Sequence, residues 1–169
     1  MSLFAPLQTG CLIVFALLLL RAAWQDLRTM HIADAVSLAI VASFAAWALS
    51  GLVLGTVSFS AIGLALACAA ALFGVGAMAF AAGALGGGDV KLVAAASLFA
   101  GPALIVDFLM ITALVGGVLG LAILAGAPIG PAAPAGEATT IRTRLRGGLP
   151  YGPAIAAGGL WVATMLALR

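Results

Sequence analysis

Charge is what this chain has least of. Its 169 residues include seven Lys or Arg and five Asp or Glu, 7% in all, where a soluble domain carries about a quarter. With 65% hydrophobic residues and a mean hydropathy of +1.31, there is too little polar surface to face water, and a bilayer is the expected solvent. Cysteine is nearly as scarce. Cys11 and Cys68 each stand alone in an apolar run and form no C-x-x-C pair, so zinc, disulfide and redox chemistry find no support and packing roles are expected. No Lys or Arg precedes the first apolar segment; the first base is Arg21, at its far end. That pattern argues against a cleavable signal and for a first transmembrane helix with its N-terminus outside.

A spanning helix needs about 20 apolar residues. On that measure residues 1–169 form a single polytopic membrane domain, all-α, with about six helices. The first three are expected at 3–23, 35–54 and 59–82. From 90 to 127 the chain is apolar apart from Lys91 and Asp107. Gly101-Pro102, its one strong breaker, divides it into a short fourth helix and a longer fifth, with a break near Asp107 as the alternative. Roughly a dozen residues in the fourth cover about 18 Å of a 30 Å core, which sets Asp89 slightly inside the membrane surface. A Pro/Ala/Gly-rich loop and the stretch "IRTRLRGG" lead to a sixth helix at 150–168.

The bases set the orientation. With the N-terminus outside, Arg21, Arg28, Lys91, Arg142, Arg144 and Arg146 all fall in cytoplasmic loops, and Arg169 alone remains outside. The polar patches "WQDLRTMHIAD" and "ALGGGDVKL" then share the cytoplasmic face. Asp26 is expected just past the first helix and Asp89 just ahead of the fourth.

Carboxylates near hydrocarbon are costly and by default functional. Two that meet cannot both ionise easily, so they share a proton. One then takes a proton from water while the other gives one to a carbonyl oxygen or leaving amine. This is aspartic-protease chemistry, requiring neither metal nor nucleophilic side chain. Gly86, Gly87 and Gly88 admit close backbone approach and leave free N–H groups at a helix start. Each acid also has a plainer reading: Asp26 as an interfacial charge paired with Arg28 or Arg21, Asp89 as a helix cap. Lys91 reads as a snorkelling anchor or as a group tuning the acid pair.

These residues carry a family resemblance. "GGGDVKL" is a G-x-G-D motif and resembles the second active-site motif of the type IV prepilin peptidases. "DLRTMHI", from Asp26, resembles their first. "LPYGPAIAAG" is similar to the Pro-Tyr-Gly entry to their last helix and brings in Tyr151. Order, spacing and the six-helix plan match over nearly the whole chain. The short length resembles the form that serves Flp, or tight-adherence, pili. The longer members carry a cytoplasmic cysteine-bearing segment and also methylate the new N-terminus; neither the segment nor its cysteines are found here, so cleavage without methylation is expected.

The resemblance implies catalytic roles for Asp26 and Asp89, in the bacterial inner membrane with the active site at the cytoplasmic face. Supporting or substrate-binding roles are expected for Gly86, Gly87, Gly88, Lys91, Asp34 and Tyr151. Where the family commonly has Pro-Asn after the Ile of the first motif, this chain has Ala33 and Asp34. Asp34 is expected to cap the second helix, and it adds a third acid. His31 is read as interfacial. The implied substrate is a prepilin or pseudopilin with a short basic leader, a glycine at the cut and then an apolar helix. No cofactor, metal or nucleic acid is expected. Membrane lipids are expected partners, drawn to the three arginines of "IRTRLRGG" at roughly 1 kcal/mol each, and the oligomeric state is left open.

Asp107 is expected near the outer leaflet in a hydrogen-bonded structural role. G-x-x-x-G pairs at Gly51/Gly55 and Gly116/Gly120 are weak packing signals. Two other functions compete. An ion-coupled transporter would show matching halves and midplane acids, whereas a catalytically silent pilus-assembly scaffold would show a degraded motif.

Overall fold

The computed structural model describes residues 4–127 and 150–168. Among these residues the fold is all-helical, without strands. Its helices are α1 (Phe4–Thr29), α2 (Asp34–Leu54), α3 (Phe59–Ala81), α4 (Gly87–Leu124) and α5 (Gly152–Ala167). The first four are long and apolar enough to cross a membrane; α5 is a shorter apolar helix. The stretch ahead of α5, with Arg142, Arg144 and Arg146, and the terminal Arg169 lie outside the described residues.

Helix α4 is broken where expected. Pro102 lacks an N–H to donate and disfavours helical geometry in the residue before it. Gly101 accordingly leaves the helix at φ 51°, ψ −168°, a conformation essentially reserved for glycine. The first limb, from Gly87 to this break, spans about 21 Å. Gly101 shares a cavity with Gly55, Thr56 and Val57 of the α2–α3 turn. Gly116, farther along, lies instead against Tyr151, next to the start of α5. The second limb therefore runs back toward the end of the bundle from which the first set out, and the two limbs stand for the expected fourth and fifth helices.

Helices α1, α2, α4 and α5 close a ring, each packed on the next, and α3 leans on α4 from outside. Inside the ring, Phe99 from the first limb of α4 stacks on Phe15 of α1 at 4.1 Å and meets Phe44 of α2 edge-on at 5.4 Å. Leu19, Ile40, Phe108, Ile155 and Val162 complete a fully buried centre. Lipid tails are as apolar as these side chains, so close packing holds such helices together rather than escape from water. Small residues make the packing close: a methyl group on Gly159 of α5 would come 2.5 Å from Leu19 Cδ1.

The α1–α2 connection takes four residues. Met30 adopts the left-handed φ of 51°, its N–H still bonded to the Asp26 carbonyl at 2.9 Å. Ile32, 3% exposed, then anchors the turn in the core. This reversal brings the end of α1 and the start of α2 beside the start of α4.

Candidate active site

The sequence boundaries place Asp26 past the end of the first helix and Asp89 ahead of the fourth; the structure instead puts both inside helices. α1 continues to Thr29, so Asp26 occupies its last turn. α4 begins at Gly87 with Gly86 as its N-cap, so Asp89 lies in its first turn. The two polar patches were long enough to propagate a helix that already had its nucleus. Both side chains are buried, Asp26 at 5% exposure and Asp89 at 9%.

Asp26 is held by α5. The first turn of a helix has N–H groups with no partner inside the helix, and that of Gly152 donates to Asp26 Oδ2 at 2.6 Å. A Cβ at position 152 would stand 2.7 Å from Asp26 Cβ and 2.9 Å from Oδ2, so the contact requires glycine. Gly152 was not among the sequence candidates. Its sequence signal is the Gly-Pro pair that opens the last helix, next to Tyr151. Tyr151 itself packs against Gly116 and is not among the residues lining the aspartate cavity.

Asp89 is framed by the glycines before it. A Cβ on Gly86 would lie 2.8 Å from Asp89 Oδ2, and one on Gly88 would lie 3.2 Å from Ile32 Cβ and 3.3 Å from the Ile32 carbonyl oxygen. Gly86 thus leaves room for the carboxylate, while Gly88 lets α4 start directly against the turn that follows Asp26. Gly87 has only ordinary contact with Phe80, at 3.5 Å. Asp89 Oδ1 is buried with no hydrogen-bond partner, a costly state for a carboxyl oxygen.

One cavity of about 430 Å³ brings the two aspartates together with Met30, His31, Ile32 and Gly86 to Gly88; Asp34 and Lys91 form its remaining border. Asp34 does not cap α2. The N-cap is Ala33, with no side-chain cap bond, and Asp34 is the first residue of the helix itself. Its carboxylate instead binds Lys91, whose Nζ is 2.7 Å from both oxygens. Lys91 is thereby engaged by the third acid. Arg28, an expected partner for Asp26, lies over the Trp24 ring at 4.4 Å. His31 is exposed. Asp107, on the second limb, is absent from the cavity lining, and the structural hydrogen bond expected of it is not formed among the described residues.

Fold and cavity define a multi-pass membrane protein with two buried carboxyl groups facing one space at the end of its bundle. The chain belongs to the type IV leader peptidase family, whose model matches residues 13–121. The matched region contains Asp26, Ile32, Asp34, the three glycines, Asp89 and Lys91, and stops short of Gly152. Comparison with curated proteins and with solved structures gives no match. Membership makes the chain a protease of the leader-peptidase class, with a prepilin as the kind of substrate that class implies.

Proposed function

We propose that this protein removes the short basic leader from Flp-type prepilins or pseudopilins by water attack assisted by Asp26 and Asp89. The observation that carries the reading is the meeting of these two buried acids, 63 positions apart in sequence, in one cavity.

The pair holds one proton between two carboxyl groups. The ionised member takes a proton from water as its oxygen attacks the carbonyl carbon of the leader's last glycine. The protonated member gives its proton to the carbonyl oxygen, forming a tetrahedral diol. The diol then collapses: one hydroxyl proton returns to a carboxylate, the C–N bond breaks, and the nitrogen takes a proton from the other carboxyl. The products are a leader ending in a carboxylic acid and a pilin with a free amine, and the pair again holds one proton. Base and acid are roles of the pair rather than of one residue. An extended backbone has to enter the cavity, because helical hydrogen bonding would occlude the carbonyl.

The site faces the cytoplasm in this reading, with the N-terminus outside, because the leader is cytoplasmic and the bases fall on that side. The new N-terminus is left unmethylated. The test is cleavage of a co-expressed Flp-type prepilin by wild type, Asp26→Asn and Asp89→Asn at matched expression. Asn keeps the shape and removes the acid–base function. Cleavage by wild type and by neither variant is expected; normal cutting by either variant would make the dyad wrong.

A further inference from the structure

Helices α2 and α3 both pack on α4, yet scarcely touch each other. Between them lies a second cavity, an open groove of about 580 Å³. Its floor is Ala94, Ala95 and Leu98 of α4; Leu38 and Val41 form one wall, Leu66 and Phe73 the other. Asp34 and Lys91 border this groove and the aspartate cavity alike, so the two spaces meet at that ion pair.

We infer that the groove seats the apolar helix of the prepilin just beyond the cut, a conclusion that rests on the function proposed above. A substrate whose scissile bond lies at Asp26 and Asp89 is polar on one side of that bond and apolar on the other. Its apolar part must leave the cavity toward hydrocarbon, and the groove is the apolar space continuous with the cavity. The floor alanines suit the close approach of another helix, as small residues do in membranes.

Ser37 adds an independent observation. It lines the groove one helical turn after Asp34, is 7% exposed, and its Oγ is buried with no hydrogen-bond partner. A hydroxyl left unsatisfied in an apolar wall is costly. The substrate residues just after the cut, drawn out of helical geometry to reach the aspartates, have unpaired backbone N–H and C=O groups. Turned about its Cα–Cβ bond into the groove, the Ser37 hydroxyl meets that need at the point where the substrate resumes its helix.

The test uses the full-length protein carrying Asp89→Asn, with Cys11 and Cys68 replaced by alanine, co-expressed with a Flp-type prepilin bearing single cysteines along its apolar helix. Leu38→Cys and Leu66→Cys probe the groove. Val118→Cys, on the exposed face of the second limb of α4, is the comparison. Disulfides to the groove positions, at least tenfold above those to position 118, are expected. A second arm measures cleavage kinetics in the otherwise wild-type enzyme. Ala70→Trp, which fills the groove, raises the KM for prepilin about tenfold or more; Ala71→Trp, exposed and outside the groove, does not. If wild type cuts prepilin while cross-links favour position 118 and Ala70→Trp leaves KM unchanged, the groove holds lipid and the inference fails, with the proposed function intact. If wild type cuts no prepilin, the functional reading fails and the groove assignment falls with it.

Discussion

Asp26 and Gly152 lie 126 positions apart and are joined by a 2.6 Å hydrogen bond from the Gly152 N–H to the Asp26 carboxylate. The bond ties the last turn of α1 to the first turn of α5, and it uses a donor that the helix start leaves free. A side chain at position 152 would have to displace Asp26. Gly152→Ala is therefore expected to lower prepilin cleavage more than 100-fold, mainly in kcat, with the protein still accumulating in the membrane. Cleavage kinetics beside an expression blot would check this. Wild-type kcat in the alanine variant would mean that the contact does not position Asp26 for the reaction.

The three glycines before Asp89 should differ in tolerance. Added methyl groups would stand 2.8 Å from the Asp89 carboxylate at Gly86, 3.2 Å from Ile32 at Gly88, and 3.5 Å from Phe80 at Gly87. Gly86→Ala and Gly88→Ala are expected to cost at least tenfold in cleavage, and Gly87→Ala less than threefold. Equal sensitivity at all three positions would contradict the assignment of room for the carboxylate and helix approach as their separate tasks.

The Lys91–Asp34 pair is exposed, at 46% and 65%, and pairs of that kind contribute about 0–1 kcal/mol. Asp34→Asn, which installs the residue common in the family, should barely change thermal stability in detergent and should lower cleavage by less than about tenfold. Loss of cleavage as deep as that of Asp26→Asn would make Asp34 a member of the reacting pair.

Gly101 carries the reversal of α4. An alanine there would adopt φ 51°, ψ −168°, at a cost of about 1–3 kcal/mol. Gly101→Ala is expected to lower the unfolding temperature measurably in detergent, whereas Gly117→Ala, with nothing within 4 Å of the added methyl, should not. Equal melting temperatures would show that the break adapts to a side chain.

At the core, Phe99→Ala removes the ring that meets both Phe15 and Phe44. In soluble cores such truncations cost about 3–5 kcal/mol, part of it transfer from water. That part is missing in a bilayer, so a loss below about 3 kcal/mol is expected in reversible unfolding from mixed micelles. No loss would mean that the aromatic cluster is incidental to stability.

Much of this was legible from the chain alone, because the signals were local. Runs of some twenty apolar residues admit few structures in a bilayer other than helices, since each backbone polar group must find its partner within the segment. Gly101-Pro102 announced its own break through steric rules that act between neighbours. Asp26 and Asp89 stood out because acids are expensive beside hydrocarbon, and three quoted motifs pointed to the family that the comparison then bore out.

Tertiary structure decided the rest, because it depends on residues far apart in sequence. Nothing local to Gly152 says that its N–H meets Asp26. Asp34, beginning a helix, has the form of a cap, and only the approach of α4 gives it Lys91 instead. That Gly88 admits a close backbone is legible from its type, but that the backbone is Ile32's is not. The groove between α2 and α3 follows from both helices choosing α4 over each other, a competition among packing surfaces that no short stretch of sequence records.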